Sequence, residues 1–253
     1  MAVITLLTDF GLADTYVGQM KGAILAIAPA ASLVDLTHAV PPQDVRAGAF
    51  LLWSAVEAFA ARTLHLGVVD PGVGSARRAI AIRSGRGDVF VGPDNGLLVP
   101  AVERLGGIDL AIDLTEHSYW RPSPSTTFHG RDIFGPVAAH LANGVPLQNL
   151  GRPVSDLHQL HLPQPRDLQG EVIHVDAFGN LVTNLPAASL PPHFQAVVLG
   201  RAAQAAQTYN AVQPGELVAL VGSAGLLEIS ARDASASQLT GAARGTPVSV
   251  QRL

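Results

Sequence analysis

A glycine-rich loop between two predicted strands carries an acidic and a basic residue that could act together. Asp70 follows the apolar run His65–Val69, and Arg77 comes just before a second run, Ala79–Ile82. Ligands of open α/β sheets bind at the carboxyl ends of strands, and glycine lets a backbone approach a ligand closely. The pair is therefore either a salt bridge across a turn or a charged pair that faces a small molecule, and the loop alone leaves both open.

Two further acidic residues follow the first predicted strand, Val3–Leu7. Asp9 lies close to the end of the strand, and Asp14 lies just before a predicted helix, Tyr16–Ala28, which Pro29 stops. A carboxylate at such a strand end can accept hydrogen bonds from two vicinal hydroxyls, as acidic residues do for ribose in dinucleotide-binding folds. The alternative is that Asp9 caps the helix.

A histidine and a glycine lie just before another predicted helix, Ile133–Asn143. Free backbone N–H groups at such a position, here near His129 and Gly130, can hold an anion or a polarised water. A cap or a solvated histidine is the simpler interpretation. His129 and Asp132 could also be metal ligands, but a third ligand at a clear spacing is missing from the pattern. The sequence therefore favours a water or anion site over a metal site.

The order of elements predicts two domains. Up to residue 162, strands alternate with helices, which is the pattern of an α/β domain with a central, mostly parallel sheet. A linker-like segment, Leu162–Gly170, is followed by short strands and turns that predict a smaller all-β domain at 170–253. In the first domain we also expect a helix at Val45–Ala60, capped by Asp44, and a structural turn at Asp94-Asn95-Gly96.

Composition limits the class of ligand and partner. Charged residues make up 14% of the chain, hydrophobic residues 48%, and the net charge is −4. The net charge and the absence of Lys/Arg clusters argue against nucleic acid, whose phosphates would call for a basic stripe. The low charge content predicts that much of the surface is buried between subunits. It contains no cysteine, and its first apolar run is too short for a signal peptide or a membrane span. A cytoplasmic protein with a small-molecule ligand and no membrane partner is expected.

Five motifs occur in order along both predicted domains. They are Thr8-Asp9-Phe10-Gly11, Val69–Gly74 with Arg77, Phe128–Asp132, Asp176 with Phe178-Gly179-Asn180, and Ser223-x-Gly225-x-Leu227-Glu228-Ile229. Together they resemble the S-adenosylmethionine (SAM) hydrolases that form adenosine, also called SAM hydroxide adenosyltransferases, which are related to fluorinase and chlorinase. The resemblance implies a barrel-like C-terminal domain and a homotrimer, with active sites between one subunit's N-terminal domain and its neighbour's C-terminal domain.

The resemblance also implies roles for individual residues and needs neither a metal nor a cofactor. The water-activating set maps onto Asp70, Arg77 and His129. The remaining positions are matched to the substrate: Asp9 to the ribose; Asp14, Asp176 and Ser223 to the methionine end; Phe178, Asn180, Glu228 and the backbone near Ala231 to the adenine. Gly130 belongs to the same substrate-binding set and stands where fluorinase has a serine, and Gln43 stands where the halogenating relatives carry an aromatic residue.

The implied reaction is hydrolysis of SAM to adenosine and L-methionine by in-line attack of water at ribose C5′. Because a sulfonium is a good leaving group, the reaction needs a positioned nucleophile and no metal. Arg77 stays protonated, so we expect it to orient the water, while His129 takes the proton and Asp70 fixes the network. The alternatives are a non-catalytic SAM or adenosine sensor, a metal-dependent hydrolase and a SAM-dependent halogenase. The intact set disfavours the sensor, and an acceptor beside the nucleophile disfavours a halide.

Overall fold

A computed structural model describes residues 2–160 and 162–253 of the chain. The chain divides into two compact units between residues 160 and 161. The first unit is an α/β layer structure and the second is a closed β-barrel. The predicted fold class, an α/β N-terminal domain followed by a smaller all-β, barrel-like domain, is therefore confirmed.

The N-terminal unit is built on a seven-stranded sheet with the order β2-β1-β3-β5-β4-β6-β7. Its elements are β1 Val3–Thr8, α1 Tyr16–Ile27, β2 Ser32–Thr37, α2 Val45–Ala55, β3 Leu64–Val68, β4 Ala79–Ser84, β5 Val89–Pro93, α3 Val99–Arg104, β6 Ile108–Asp113, α4 Gly135–Ala142 and β7 Arg152–Pro153. Strands β2, β1, β3 and β5 run parallel to one another. Strands β4, β6 and β7 pair antiparallel.

The expectation of a mostly parallel sheet thus holds for one half of it only. The link from β4 to β5 runs from Ser84 to Val89, which is too short for the crossover that a parallel pair requires. The two strands therefore form a hairpin, and β4 lies on the far side of β5 from β3. As a result, the loop between β3 and β4, which carries Asp70 and Arg77, passes across the carboxyl end of β5.

Helices cover both faces of this sheet. On one face α1 and α4 pack with residues such as Ile4, Leu66 and Phe134, and on the other α2 and α3 pack with Leu7, Leu52 and their neighbours. Alternate residues of β1 point to opposite faces, as the period of a strand requires. Because both faces are buried, the sheet edge at the strand ends is left as the place where polar side chains meet a ligand.

Two predicted helices differ from the observed ones. The helix expected at Val45–Ala60 ends at Ala55 and continues as a 3₁₀ turn, Val56–Ala58, and its cap is Asp44, whose side chain accepts from Ala47 N. The helix expected from Ile133 is preceded by a π-helical turn, Gly130–Phe134. Turns of this kind are often found at functional sites. Within the described residues, none of the helices has the length and apolar character needed to cross a membrane.

The C-terminal unit is a barrel of seven strands that closes in the order β10-β11-β12-β13-β9-β8-β14. Its elements are β8 Gln169–Val175, β9 Leu181–Pro186, β10 Phe194–Val198, β11 Arg201–Ala205, β12 Leu217–Val221, β13 Leu226–Ala231, α5 Ala236–Thr240 and β14 Pro247–Arg252. The sequence does not predict β11, because alanines have low strand propensity. Pairing with β10 and β12 fixes it as a strand.

Candidate active site

Two of the candidate carboxylates lie at the same edge of the sheet because their strands are neighbours. Strands β1 and β3 are parallel, and Thr8 in β1 pairs with Val68 in β3. Asp9 follows Thr8 directly, and Asp70 follows Val68 by two residues. Since parallel neighbours in register end together, the two side chains are brought to the same edge.

Asp70 and Arg77 form an ion pair that is largely shielded from solvent. Nε of Arg77 lies 3.0 and 3.1 Å from the two carboxylate oxygens of Asp70, and a terminal nitrogen lies 2.5 Å from Oδ2. The side chains are only 6% (Asp70) and 11% (Arg77) exposed. The Phe134 ring lies 5.1 Å below the guanidinium. Such charge-assisted contacts hold the guanidinium in one orientation.

His129 joins this pair through Arg77. A terminal nitrogen of Arg77 lies 2.7 Å from His129 Nδ1. A guanidinium has only donors, so Nδ1 must be the acceptor, and the neutral ring then carries its proton on Nε2. Burial lowers the pKa of His129, and the charge of Arg77 lowers it further, against the opposing effects of Asp70 and Asp132. The arrangement therefore stabilises a neutral histidine whose Nε2–H is a donor.

Two glycines allow the loops of the site to pack closely. Gly74 has a φ of 77°, and a Cβ there would lie 2.5 Å from the carbonyl oxygen of Thr126. A Cβ at Gly130 would lie 3.0 Å from the Phe10 ring. A side chain at Gly74 would push the loop of Arg77 away, and one at Gly130 would require the Phe10 ring to shift by a few tenths of an ångström.

A cavity of about 260 Å³ opens beside this network. Its lining includes Asp9, Asp70, His129 and Gly130, which come from three separate segments of the sequence. The remaining lining residues are Phe10, Gln43, Val68, Pro71, Val73, Thr127 and Phe128. Arg77 lies outside this lining, and its partners Asp70 and His129 belong to it. Asp14 is exposed and lies outside this lining.

Gln43 holds Asp9 through its backbone. Its N–H donates to Asp9 Oδ2 at 2.8 Å, and its φ of 64° is unusual for a residue other than glycine. Backbone strain of this kind is typical of functional sites. The contact leaves Asp9 Oδ1 available to a ligand. The sequence gives no signal for this backbone conformation.

Asp132 is committed to structural contacts. Its carboxylate accepts from Arg131 at 2.7 and 2.8 Å, from Arg121 at 3.1 Å and from the backbone N–H of Ser125 at 2.9 Å. These contacts lower its pKa and fix the loop that leads to His129. Among residues 2–160 and 162–253, no three histidine, cysteine, aspartate or glutamate side chains are grouped as metal ligands.

In the C-terminal unit, Asp176 organises its own turn. Oδ1 accepts from the backbone N–H groups of Phe178 and Asn180 at 2.9 and 2.8 Å, and Oδ2 accepts from the Asn180 side chain at 2.9 Å. Gly179 has a φ of 85°. The turn presents Phe178 with 80% of its surface exposed. An aromatic ring this exposed is available to a flat ligand or to another chain.

A second cavity, of about 480 Å³, lies beside this turn. Three of the predicted site residues line it, namely Phe178, Asn180 and Ala231. The other lining residues are Tyr209, Asn210, Arg232, Asp233 and Ala234. Ser223 is exposed and lies outside this lining. Each cavity is lined by residues of a single unit.

Glu228 lies behind the second cavity. It is 8% exposed, and its Oε1 accepts from the Tyr209 hydroxyl at 3.0 Å and from Ser230 at 2.7 Å. Burial and the nearby Glu228 raise the pKa of Tyr209. Sequence reasoning missed Tyr209 because it lies in a short 3₁₀ turn, Tyr209–Ala211, outside every motif. An aromatic residue in a polar loop is the one signal that could have indicated it.

Comparison with known proteins assigns both units to one protein family. Residues 4–151 match the family model described as SAM hydroxide adenosyltransferase N-terminal domain, and residues 170–249 match its C-terminal domain. The chain is 42% identical over 98% of its length to an (R)-S-adenosyl-L-methionine hydrolase from Salinispora arenicola, of which it covers 97%. It is 40% identical to the protein of that name from Thermus thermophilus, over 98% of this chain and 99% of the relative.

A more distant relative and a solved structure are also similar to this chain. A fluorinase from an Actinoplanes species is 30% identical, over 72% of this chain and 71% of its own. A crystal structure of an uncharacterised conserved protein from Thermotoga maritima superposes with a TM-score of 0.92 at 36% identity, covering 98% of this chain and all of the other.

Proposed function

The chain belongs to the SAM hydroxide adenosyltransferase family, and from that premise we propose that it is an enzyme that hydrolyses S-adenosyl-L-methionine to adenosine and L-methionine. The observation that carries the proposal is the buried Asp70–Arg77 pair with His129 on its guanidinium, beside a cavity that also contains Asp9. A site that only binds adenosine has no need for a network of this kind at a cavity wall.

In the proposed reaction a water attacks ribose C5′ opposite to the sulfonium. The C5′–O bond forms as the C5′–S bond breaks, methionine leaves as a neutral thioether, and one proton is released. The positive charge on sulfur disappears during the reaction, so no Lewis acid is needed to activate the leaving group. The protein's task is to hold the water in line and to exclude competing solvent.

The contacts of His129 suggest roles that differ from the sequence-based hypothesis. That hypothesis gives the proton of the water to His129. In the neutral ring, however, the lone pair of Nδ1 already accepts from Arg77 and Nε2 carries hydrogen. We therefore assign proton acceptance to Asp70, whose Oδ1 accepts only from Arg77 Nε and keeps a free lone pair. His129 serves as a donor that orients the water.

The substrate-binding assignments remain proposals. Asp9 Oδ1 would accept from the ribose hydroxyls, and Gly130 would let the nucleoside approach the turn of His129. The side chains of Phe178 and Asn180, with the backbone of Ala231, would contact the adenine, supported by Glu228. Asp14, Asp176 and Ser223 are assigned to the methionine end. Asp176 is the weakest of these, because its own turn already uses both carboxylate oxygens.

We further propose that the enzyme is a metal-independent homotrimer that works in the cytoplasm. Each cavity is lined by residues of one unit, and each carries only part of the predicted set. In the proposed assembly, the N-terminal unit of one subunit supplies the nucleophile and ribose positions. The C-terminal unit of a neighbouring subunit supplies the adenine positions. Low charge content and high apolar content are consistent with extensive subunit contacts.

A halogenase is the second candidate, because a fluorinase is among the relatives. A halide must lose its water into a small site lined by donors, with no carboxylate nearby. Asp70 lines the cavity with an acceptor. A serine at Gly130 would also bring its Cβ to 3.0 Å from Phe10. These features favour water as the nucleophile.

Product identification tests the proposal. Purified protein treated with EDTA is incubated with SAM, and the products are separated by chromatography and identified by mass spectrometry. We expect adenosine and methionine in equal amounts, and Asp70→Asn should release neither at a comparable rate. Binding of SAM without turnover would support the sensor, and activity restored only by a divalent ion would support a metallohydrolase.

A further inference from the structure

The turn after β5 contacts both flanks of the loop that carries Asp70 and Arg77. The side chain of Asn95 donates from Nδ2 to the carbonyl oxygen of Val69 at 2.8 Å. Its Oδ1 accepts from Leu97 N at 3.1 Å, so both ends of the amide are used. Val69 is fully buried and comes directly before Asp70. The orientation of the peptide that leads into Asp70 is therefore set by Asn95.

This contact replaces a missing ladder bond. The pairing of β3 with β5 ends at Leu66 opposite Val91, three residues before Val69. Beyond that point the two backbones no longer pair, and a buried carbonyl without a partner is costly. The amide of Asn95 supplies the partner. An Asn-Gly sequence alone predicts a turn and carries no information about this contact.

The preceding residue holds the other flank. Asp94 Oδ2 accepts from Arg78 Nε at 2.8 Å and from one of its terminal nitrogens at 2.6 Å. Asp94 Oδ1 accepts from the backbone N–H of His158 at 2.8 Å, and the Asp94 N–H donates to the Arg78 carbonyl at 3.0 Å. The Asp94 side chain is 5% exposed. Arg78 comes directly after Arg77, so this flank of the loop is fixed as well.

We propose that Asp94 and Asn95 are positioning residues for the Asp70–Arg77 pair, an inference that rests on the proposed function. Neither residue lines the cavity beside the pair, so both act through Val69 and Arg78. The loop between the flanks contains two glycines, which leave it with many conformations if the flanks are free. A displacement of the pair by a fraction of an ångström lowers the rate of an in-line reaction without removing any substrate contact.

Asn95→Asp tests the first anchor, because it keeps the acceptor for Leu97 and replaces the donor to Val69 by an oxygen. Asp94→Asn tests the second anchor. We expect each variant to lower kcat about tenfold or more while KM for SAM changes less than about twofold. Asp109→Asn, which breaks an exposed Arg–Asp pair with Arg83 on the same sheet, is the matched control and should keep the wild-type kcat. Circular dichroism and thermal unfolding show which variants fold.

A double-variant cycle separates positioning from general damage. In an Arg77→Lys background the pair is already disturbed, so Asn95→Asp should cost a smaller factor in kcat than it does in the wild type. Equal factors in both backgrounds, or a wild-type kcat in both folded single variants, would overturn the proposal. A rise in KM at unchanged kcat would also overturn it. If Asn95→Asp does not fold, the same cycle is measured with Asp94→Asn.

An NMR titration makes the result independent of turnover. Arg77 helps to keep the pKa of His129 low, so a displaced Arg77 should let that pKa rise in Asp94→Asn, although the lost negative charge would by itself lower it. Asp109→Asn should leave the pKa of His129 unchanged. If the wild-type protein released no adenosine, the proposed function would fail while this titration still tested the anchors. An unchanged or lowered pKa of His129 in folded Asp94→Asn would contradict the positioning role.

Discussion

Arg77→Lys separates the charge of Arg77 from its shape. Lysine keeps a positive charge at this position, but its single ammonium nitrogen cannot reproduce the planar fork. In the wild type the guanidinium contacts both oxygens of Asp70 and, through a terminal nitrogen, Nδ1 of His129. An ammonium that pairs with Asp70 must leave either one carboxylate contact or His129. The variant therefore removes geometry while leaving the net charge of the site unchanged.

The size of the effect follows from the lost contacts. Hydrogen bonds that involve a charged group contribute about 1.5–3 kcal/mol each. If lysine loses one such contact at the upper end of this range and the loss is felt mainly in the transition state, the barrier rises by about 3 kcal/mol. This corresponds to a decrease in kcat of roughly 100-fold. KM for SAM should change much less, because Arg77 is not assigned to the substrate.

The assay is steady-state release of adenosine at several SAM concentrations. Arg83→Lys is the matched control, because Arg83 pairs with Asp109 at a position where their side chains are 38% and 50% exposed. Exposed pairs contribute little, so this variant should keep kcat within about twofold. The reasoning would be refuted if folded Arg77→Lys also retained kcat within about threefold of the wild type.

Three further predictions follow from the same structure. Burial and Arg77 hold the pKa of His129 below its ordinary 6.5, so its neutral form should persist to lower pH. The acid limb of a plot of kcat against pH should therefore have its midpoint below 6.5. A midpoint above 7 would contradict the role of neutral His129 as a donor to the water. Burial lowers the pKa of His65 to about 4. The contribution of neutral His65 to the free energy of unfolding, about 3 kcal/mol, is therefore complete above pH 6.5 and is lost as the pH falls towards 4. The free energy of unfolding in urea should fall more steeply between pH 6.5 and 4 for the wild type than for His65→Gln, and equal declines would contradict this prediction. If sites form between subunits, mixing inactive Asp70→Ala with inactive Asp176→Ala under subunit exchange should restore part of the activity, whereas an active monomer in light scattering would exclude such sites.

The main features of the fold could be predicted because they depend on local patterns. Alternating strand and helix signals define the first unit, and the change at the linker-like segment indicates the second. The hairpin of β4 with β5 and the strand β11 were missed, since both depend on tertiary pairing rather than on propensity. The π turn at Gly130–Phe134 was missed for a related reason, because its backbone is fixed by packing against α1.

In the candidate site, too, the features set by local sequence could be predicted and those set by tertiary contacts could not. Asp9, Asp70 and His129 could be selected because strand ends and helix starts are recognisable from sequence. Their convergence on one cavity depends on sheet order, which no local pattern specifies. The tautomer of His129 is also a tertiary property, because it depends on which ring nitrogen accepts from Arg77. Contacts made by backbone atoms, such as Gln43 N–H with Asp9, have no sequence signal.

The most direct test of the account is the origin of the new oxygen in the product. The enzyme is incubated with SAM in ¹⁸O-labelled water that contains excess chloride or fluoride, and the nucleoside product is analysed by mass spectrometry. The account predicts one ¹⁸O atom, located in the 5′-hydroxyl of adenosine, with methionine unlabelled. Unlabelled adenosine, or a 5′-halo-5′-deoxyadenosine in its place, would contradict water as the nucleophile held by Asp70, Arg77 and His129.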